Sequence, residues 1–272
     1  MAERDAYTEP TEDWLYYRLY VREPEDLERL LRDHMRPLLQ RLSSAVTDAR
    51  WFFLNYADGF GPHVRLRVRA FTEELTLAEQ VIDAALPSIP LVRDAQKAVY
   101  TPETWKFGTG AAMAAAEEVF WRGSEAALLC AESHAGNLRI VHGAAHTRVM
   151  AGLLPRPLRL AFLHHYAWYW SGGHLGMAQP SSWRRDAVPD AQRTAKAEAM
   201  LARVTATLRT TAGRALTGYA EQASTLLTSA RPRPLVLFHH VHLTNNRLGL
   251  TGGEEAQIAR LLWLAEHRRR IA

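Results

Sequence analysis

The spacing of hydrophobic and polar positions divides the chain into a first part that switches between strand and helix periods and a second part that is almost wholly helical. From Trp14 to Val21 the run WLYYRLYV is rich in aromatic and branched residues, which suit a pleated surface better than a helix, and it predicts a first strand. Pro24 followed by Glu25 and Asp26 reads as a helix start, after which Leu27, Leu30, Leu31, Leu38 and Leu42 recur at helical spacing. Pro37 lies inside that run and is expected to bend or end the helix, because its ring removes a backbone donor. WFFLNYAD and HVRLRVRA then read as two strands separated by Gly59, Gly61 and Pro62, an antiparallel pair on a short loop. Glu73 to Leu86 returns to the helical period, and the residues between Leu91 and Tyr100 form a further strand before Pro102.

Beyond a loop that contains Gly108 and Gly110, the stretch AAMAAAEEVFWRGSEAALLCAE is dominated by helix formers, with Met113, Ala116, Phe120 and Ala127 on one face. Pro155 and Pro157 interrupt the helical pattern, and Gln179 to Pro189 is a polar connection expected to form a mobile loop over a site. Ala191 to Thr228 predicts a long helix or a helical pair. Pro232 and Pro234 introduce LVLFHHVHLTNNRLG, and Glu254 to Arg270 forms a terminal helix.

These elements predict an α+β fold: a βαββ-type antiparallel sheet with packed helices, followed by a largely helical C-terminal half. Residues 1–272 are read as a single domain, with an α+β part over 1–107 and a mainly helical part over 108–272. The composition agrees, since 47% hydrophobic residues in a chain of 272 can fill a sizeable core. Cys130 is the only cysteine, so no internal disulfide forms, and no paired ligand spacing points to zinc; it reads as a small buried hydrophobe in a reducing compartment. MAERDAYTEPTEDW lacks the apolar centre of a signal peptide and no window approaches the ~20 apolar residues of a membrane span, so a cytoplasmic protein without membrane attachment is expected. The formal charge of +4 is compatible with an anionic partner, but the arginines are dispersed and the dense run from His267 to Arg270 reads as a solvated helix end, which weighs against nucleic acid.

Four segments carry candidate chemistry, each with a plain structural reading beside the functional one. In a strand of period two, Arg65, Arg67 and Arg69 share one face and Val64, Leu66 and Val68 the other. The arginine row is either a solvated surface or a cationic wall that receives a carboxylate or polarises a carbonyl, for which planar bidentate donation is well suited. In VYTPETWKFGTGAAMAAAEEVFW, Tyr100, Pro102 and Glu103 precede Lys106, and the glycines serve either a site or only a turn. In FHHVHLTNNRLG, His242, Asn246 and Arg247 share roughly one side of a helix near His239 and His240; they are acid–base residues or a buried polar network. The absence of an HExxH pattern argues against a metal there. HHYAWYWSGGH gathers Tyr166, Trp168 and Trp170 before a glycine pair, either as core or as an aromatic wall for an extended peptide.

In their order along the chain, WLYYRLYV, WFFLNYADGFGPHVRLRVR, YTPETWKFGTGAAMAAAEEVF and HLTNNRLG resemble the thiopeptide-type bacteriocin biosynthesis domain, the elimination-domain family of lantibiotic dehydratases. That family shows an opening strand, an aromatic strand plus HxRLR, a YxPExxRYGG loop and a terminal HxxxNR helix, so the resemblance spans nearly the whole chain. It implies the family's α+β fold and a ribosomal peptide as substrate. In the family the two HxRLR arginines, the loop arginine and the terminal-helix histidine assist removal of glutamate from glutamylated Ser or Thr. The matching positions are Arg65, Arg67, Lys106 and His242. At the loop this sequence departs from the pattern: RYGG has become KFGT, so a bidentate guanidinium is replaced by a point charge and the tyrosine hydroxyl is lost at Phe107.

The departure makes the chain most like the stand-alone thiopeptide pyridine synthases of the same fold. As that resemblance implies, such an enzyme joins two dehydroalanines of a leader-bearing peptide by a formal aza-[4+2] cycloaddition: one dehydroalanine and its neighbouring amide tautomerise to a 2-azadiene, the second adds, and loss of water and of the leader peptide aromatises the ring. No redox cofactor or metal is expected. Holding two remote alkenes together is a proximity task, and the tautomerisation and eliminations move protons. The implied catalytic set is Arg65 and Arg67 as donors to a carbonyl or leaving group and His242 as acid–base residue, assisted by Tyr100 or His240; Lys106, Tyr166, Trp168, Asn246 and Arg247 are candidates for binding the peptide. The implied partners are a precursor with a leader and an azole- and dehydroalanine-containing core, and other enzymes of the same biosynthesis. The alternatives are a split dehydratase subunit that eliminates glutamate and a silent escort for the precursor.

Overall fold

The computed structural model describes residues 14–133, 138–175, 191–227 and 233–268. They fall into two compact units that divide between Thr101 and Pro102. The loop expected over Gln179 to Pro189, the proline at 232 and the end of the terminal helix at 269–270 lie outside the described residues.

The first unit is built on four strands, β1 (Trp14–Tyr20), β2 (Arg50–Asp58), β3 (Gly61–Arg69) and β4 (Asp94–Lys97), in the order β2-β3-β1-β4 with every neighbouring pair antiparallel. With a helical crossover after β1 and helix α3 (Leu75–Ala85) before β4, this is a split β-α-β-β-α-β arrangement. The two-residue connection between β2 and β3 is closed by Asp58, whose carboxylate accepts the Phe60 amide at 2.9 Å, and Gly61 takes the positive φ of 119° that the turn requires. The register places Arg67 between Tyr16 and Phe52, and Arg65 between Arg18 and Leu54. On the opposite face Val64, Leu66 and Val68 are fully buried with Tyr17, Leu19 and Phe53, each aliphatic side chain worth about 1.5–3 kcal/mol of burial.

The crossover is one helical path in three pieces: α1 (Pro24–Leu30), a π-type turn over Leu31–Met35, and α2 (Arg36–Ala45). Pro37 was expected to bend or end the helix. It does not end it: the helical path continues through Pro37, because the wider π turn just before it relieves the clash and the missing donor that a proline imposes on the preceding turn. Leu30, Leu31, Leu38 and Leu42 are buried, as their spacing predicts, together with Leu39, while Leu27 is only partly buried.

The second unit is helical: α4 (Thr104–Phe107), α5 (Ala111–Glu132), α6 (Leu138–Gly152), α7 (Arg156–Trp170), α8 (Ala191–Thr207), α9 (Thr211–Leu226), α10 (Arg233–Arg247) and α11 (Gly252–Arg268). Gly108 and Gly110 both have positive φ, so the α4–α5 link uses them for geometry that side-chain-bearing residues rarely adopt. The stretch from Ala191 resolves into a helical pair, α8 and α9, with Thr210 capping the second by accepting the Gly213 amide at 3.2 Å. Helix α10 packs against α5, α6 and α7, while α11 lies on α6, α7 and α8. None of the described helices is long and apolar enough to cross a membrane. The fold is therefore α+β, as the sequence predicts.

Candidate functional site

In the first unit the polar face of the sheet collects the arginine row. Arg67, only 9% exposed, is boxed by rings: its guanidinium carbon lies 4.6 Å from the centroid of Tyr16, 5.2 Å from Phe52 and 5.3 Å from Tyr100. Trp14 closes the cluster, 4.7 Å from Tyr100 and 5.5 Å from Phe52. Aromatic faces attract a cation without neutralising it, so this box fixes a permanent positive charge in place. Beside it Arg65 stacks on Tyr56 at 3.4 Å and donates through Nε to Nε2 of His63 at 3.3 Å. Burial holds the His63 pKa below the ordinary imidazole range; the neutral ring donates from Nδ1 to the Gly61 carbonyl at 3.1 Å and accepts from Arg65 at Nε2.

In the second unit α10 and α11 meet in a polar network. The Glu255 carboxylate on α11 is fully buried. One oxygen, Oε1, lies 2.9 Å from Nδ1 of His242; the other, Oε2, accepts the Tyr166 hydroxyl and, at 3.1 Å, the Asn245 amide. Asn245 continues the network into α6, with its Oδ1 2.9 Å from Nδ1 of His146 and its Nδ2 3.1 Å from the Thr147 hydroxyl. The His242 ring is partly exposed, with a side-chain accessibility of 32%, and stacks on Trp170 at 4.1 Å with 25° between the planes. Burial together with the Glu255 charge keeps the Tyr166 pKa well above that of a free phenol, so Tyr166 remains a donor.

Two residues earlier on α10 the surroundings are closed. His240 is 1% exposed against Phe107 at 5.2 Å and Phe120 at 5.3 Å; burial, then the charge of Arg247, pushes its pKa down to about 3. Arg247 is itself buried and donates to the Thr244 hydroxyl at 3.2 Å. Lys106 lies over the Trp105 ring with its Nζ 2.5 Å from Oε1 of Glu103, three residues before it.

The family described as lantibiotic biosynthesis dehydratase C-term matches residues 14–265. The chain belongs to this family. Among solved structures it is similar to the tRNA-dependent lantibiotic dehydratase MibB from Microbispora sp. 107891, with TM-score 0.67 and 22% identity over 97% of this chain. The chain spans only 29% of the length of MibB. It is also similar to TbtD, a pyridine synthase from thiomuracin biosynthesis, with TM-score 0.65 and 18% identity over 96% of this chain and 100% of that one, and to TsrL, with TM-score 0.57 and 15% identity over 95% and 94%. No curated protein is similar enough to count as a match.

This member of the lantibiotic dehydratase C-terminal family brings together some of the residues singled out from sequence and separates others. Arg65, Arg67 and Tyr100 belong to one sheet face, where Tyr100 acts as a wall of the Arg67 box. His242 is the partly exposed histidine of α10, whereas His240 and Arg247 are interior. Tyr166 and Trp168 do not form one wall: two residues apart on α7 they point to opposite sides, Tyr166 into the core and Trp168 against His165 at 5.6 Å. Asn246 is half-buried, and the amide that joins the network is its neighbour Asn245, three residues after His242. Glu255 and Asn245 were not singled out, and Trp170 was named only as a member of the aromatic run HHYAWYWSGGH. In sequence, Glu254 and Glu255 together read as a charged first helical turn. Only Glu254 behaves so, exchanging capping bonds with Thr251 and pairing with Arg139 at 2.6 Å. Among the described residues no group of three or more His, Cys, Asp or Glu side chains is placed to hold a metal ion.

Proposed function

We propose that the protein is a thiopeptide pyridine synthase, joining two dehydroalanines of a leader-bearing ribosomal peptide by a formal aza-[4+2] cycloaddition followed by loss of water and of the leader. The observation that carries this reading is the state of Lys106. At the position where the family places a guanidinium for the glutamyl group, the ammonium is already held by Glu103 at 2.5 Å, and Phe107 beside it is buried against Phe120 with no hydroxyl to offer. The cation that glutamate elimination needs is thus engaged, while the acid–base histidine is retained and partly exposed.

The chemistry asks for proton movement and for stabilisation of developing negative charge. In this reading Nε2 of His242 moves the proton that converts the amide of one dehydroalanine to its iminol, generating the azadiene, and returns a proton to a departing group. Arg65 and Arg67 supply fixed positive charge to a carbonyl or to the leader amide as it leaves. The two alkenes supply four ring carbons and the tautomerised amide its nitrogen and carbonyl carbon; two carbon–carbon bonds form between azadiene and alkene, and expulsion of the iminol oxygen as water and then of the leader carboxamide gives the aromatic ring without any change of oxidation state from outside. Partners are the precursor peptide and the enzymes that install its azoles and dehydroalanines.

Incubation of the purified protein with a bis-dehydroalanine, azole-bearing precursor tests the reading. The expected product has lost one water and the leader, with the ultraviolet absorption of a pyridine. Release of free glutamate from a glutamyl-serine peptide by this protein alone would assign it instead to glutamate elimination, and binding of the precursor without a change of mass would make it an escort.

A further inference from the structure

A carboxylate at zero exposure is costly unless every lone pair is used, so the surroundings of Glu255 show what the fold requires of it. Two of its three partners are fixed independently of His242. Tyr166 keeps its proton and donates. The Asn245 amide is oriented from behind: burial drives the His146 pKa down to about 4, so that ring is neutral, and its Nε2 is buried without a hydrogen bond, which places the proton on Nδ1 facing Oδ1 of Asn245. Asn245 must then turn Nδ2 toward Glu255 and Thr147. With Oε2 filled by these neutral donors, Oε1 is left for Nδ1 of His242 at 2.9 Å. Among the described residues no lysine or arginine pairs with Glu255, so His242 is the one group there that can bring it a positive charge.

We propose that Glu255 is the positioning residue of the site: it holds the proton of His242 on Nδ1, leaves Nε2 as the atom that exchanges protons with the peptide, and stabilises the imidazolium formed when Nε2 takes one. Trp170, stacked on the ring, fixes its plane. The logic is that of any histidine oriented by a carboxylate behind it. The inference rests on His242 as the proton-transfer group of the proposed reaction.

The test uses the full chain and two readouts. Nitrogen NMR of the assigned His242 ring, at a pH well above the ordinary imidazole range, is expected to show the Nδ1–H tautomer in the wild type and a shift toward Nε2–H in Glu255→Gln. In turnover of the bis-dehydroalanine precursor, Glu255→Gln is expected to lower kcat by about 100- to 10,000-fold with little change in KM, and Glu255→Asp to recover part of that loss. An Nε2–H tautomer in the wild-type protein overturns the proposal, and that measurement stands even if Glu255→Gln does not fold. So does full turnover by a folded Glu255→Gln protein whose His242→Gln counterpart is inactive. Full turnover by His242→Gln itself marks the failure of the functional reading instead, a result the tautomer measurement does not share.

Discussion

Trp170 lies on the face of His242, with ring centroids 4.1 Å apart, and it also packs on the first residue of α11: a Cβ added at Gly252 would meet Cε3 of Trp170 at 2.8 Å. No real Cβ tolerates that approach, so the indole must move and the imidazole stacked on it loses its fixed plane. Gly252→Ala is therefore expected to lower kcat on the bis-dehydroalanine precursor on the order of tenfold to a hundredfold, as small displacements of a catalytic group do. Gly253, with nothing within 4 Å of its added Cβ, is the matched control, and Gly253→Ala should leave the rate near wild type. Equal rates for the two variants would show that Trp170 does not set the ring.

Arg67 and Arg69 share a strand face but not an environment. Only Arg67 is enclosed by Tyr16, Phe52 and Tyr100; Arg69 is half-buried and 5.9 Å from Trp14. Lysine in place of Arg67 keeps the charge but loses the planar contact with the rings. Arg67→Lys is expected to reduce turnover by at least about tenfold and stability by about 1 kcal/mol, with Arg69→Lys close to wild type in both. Precursor turnover and urea unfolding measure the two effects; indifference at Arg67 would show that neither the site nor the sheet depends on the planar guanidinium in the box.

The sequence made the sheet legible because its signals are local. WLYYRLYV, WFFLNYAD and HVRLRVRA each carry their own period, and the alternation that put Arg65 and Arg67 opposite Leu66 survives in the register. His242 was legible from its motif. Its support was not, since Glu255 is thirteen residues away on another helix and its burial is a property of packing that no local pattern encodes. Tyr166 and Trp168 were grouped by proximity in sequence, and a helix separates what lies two residues apart. The π turn at Leu31–Met35 was hidden for a related reason: Pro37 announces a conflict with the helix but not how the neighbouring turn resolves it.

Two glycines of α9 give opposite expectations for the same substitution. A Cβ at Gly213 would lie 2.0 Å from the Thr207 carbonyl oxygen and 2.5 Å from Cα of Leu208, both backbone atoms that cannot rotate away. The α8–α9 turn would have to open and the Thr210 cap would be lost with it. Gly213→Ala should destabilise the second unit by about 2 kcal/mol or more. Gly218, mid-helix with open space around it, should gain roughly 0.5–1 kcal/mol as alanine through reduced freedom of the unfolded chain. Urea unfolding followed by helix content decides both, and a neutral Gly213→Ala would mean that the turn is not packed as described.

Acid should weaken the second unit through its interior histidines. Burial lowers the pKa of His146 to about 4 and that of His240 to about 3, while in the unfolded chain both return to about 6.5. Below that value the unfolded state binds protons that the folded state refuses, so the unfolded form is favoured as pH falls. The stability these rings contribute is complete above about 6.5 and is lost between there and their folded values, at up to about 1.4 kcal/mol per pH unit for each ring. Replacing His240 by phenylalanine, which its neighbours Phe107 and Phe120 can accommodate, removes its proton-binding difference and also a buried Nε2 that has no hydrogen bond. His240→Phe is expected to reduce the pH slope of unfolding between about pH 4.5 and 6 by up to about 1.4 kcal/mol per pH unit and, because the ring is interior, to keep most of the turnover. An unchanged slope would show that His240 is already protonated inside the fold, and loss of turnover in a stably folded variant would restore it to the acid–base set beside His242.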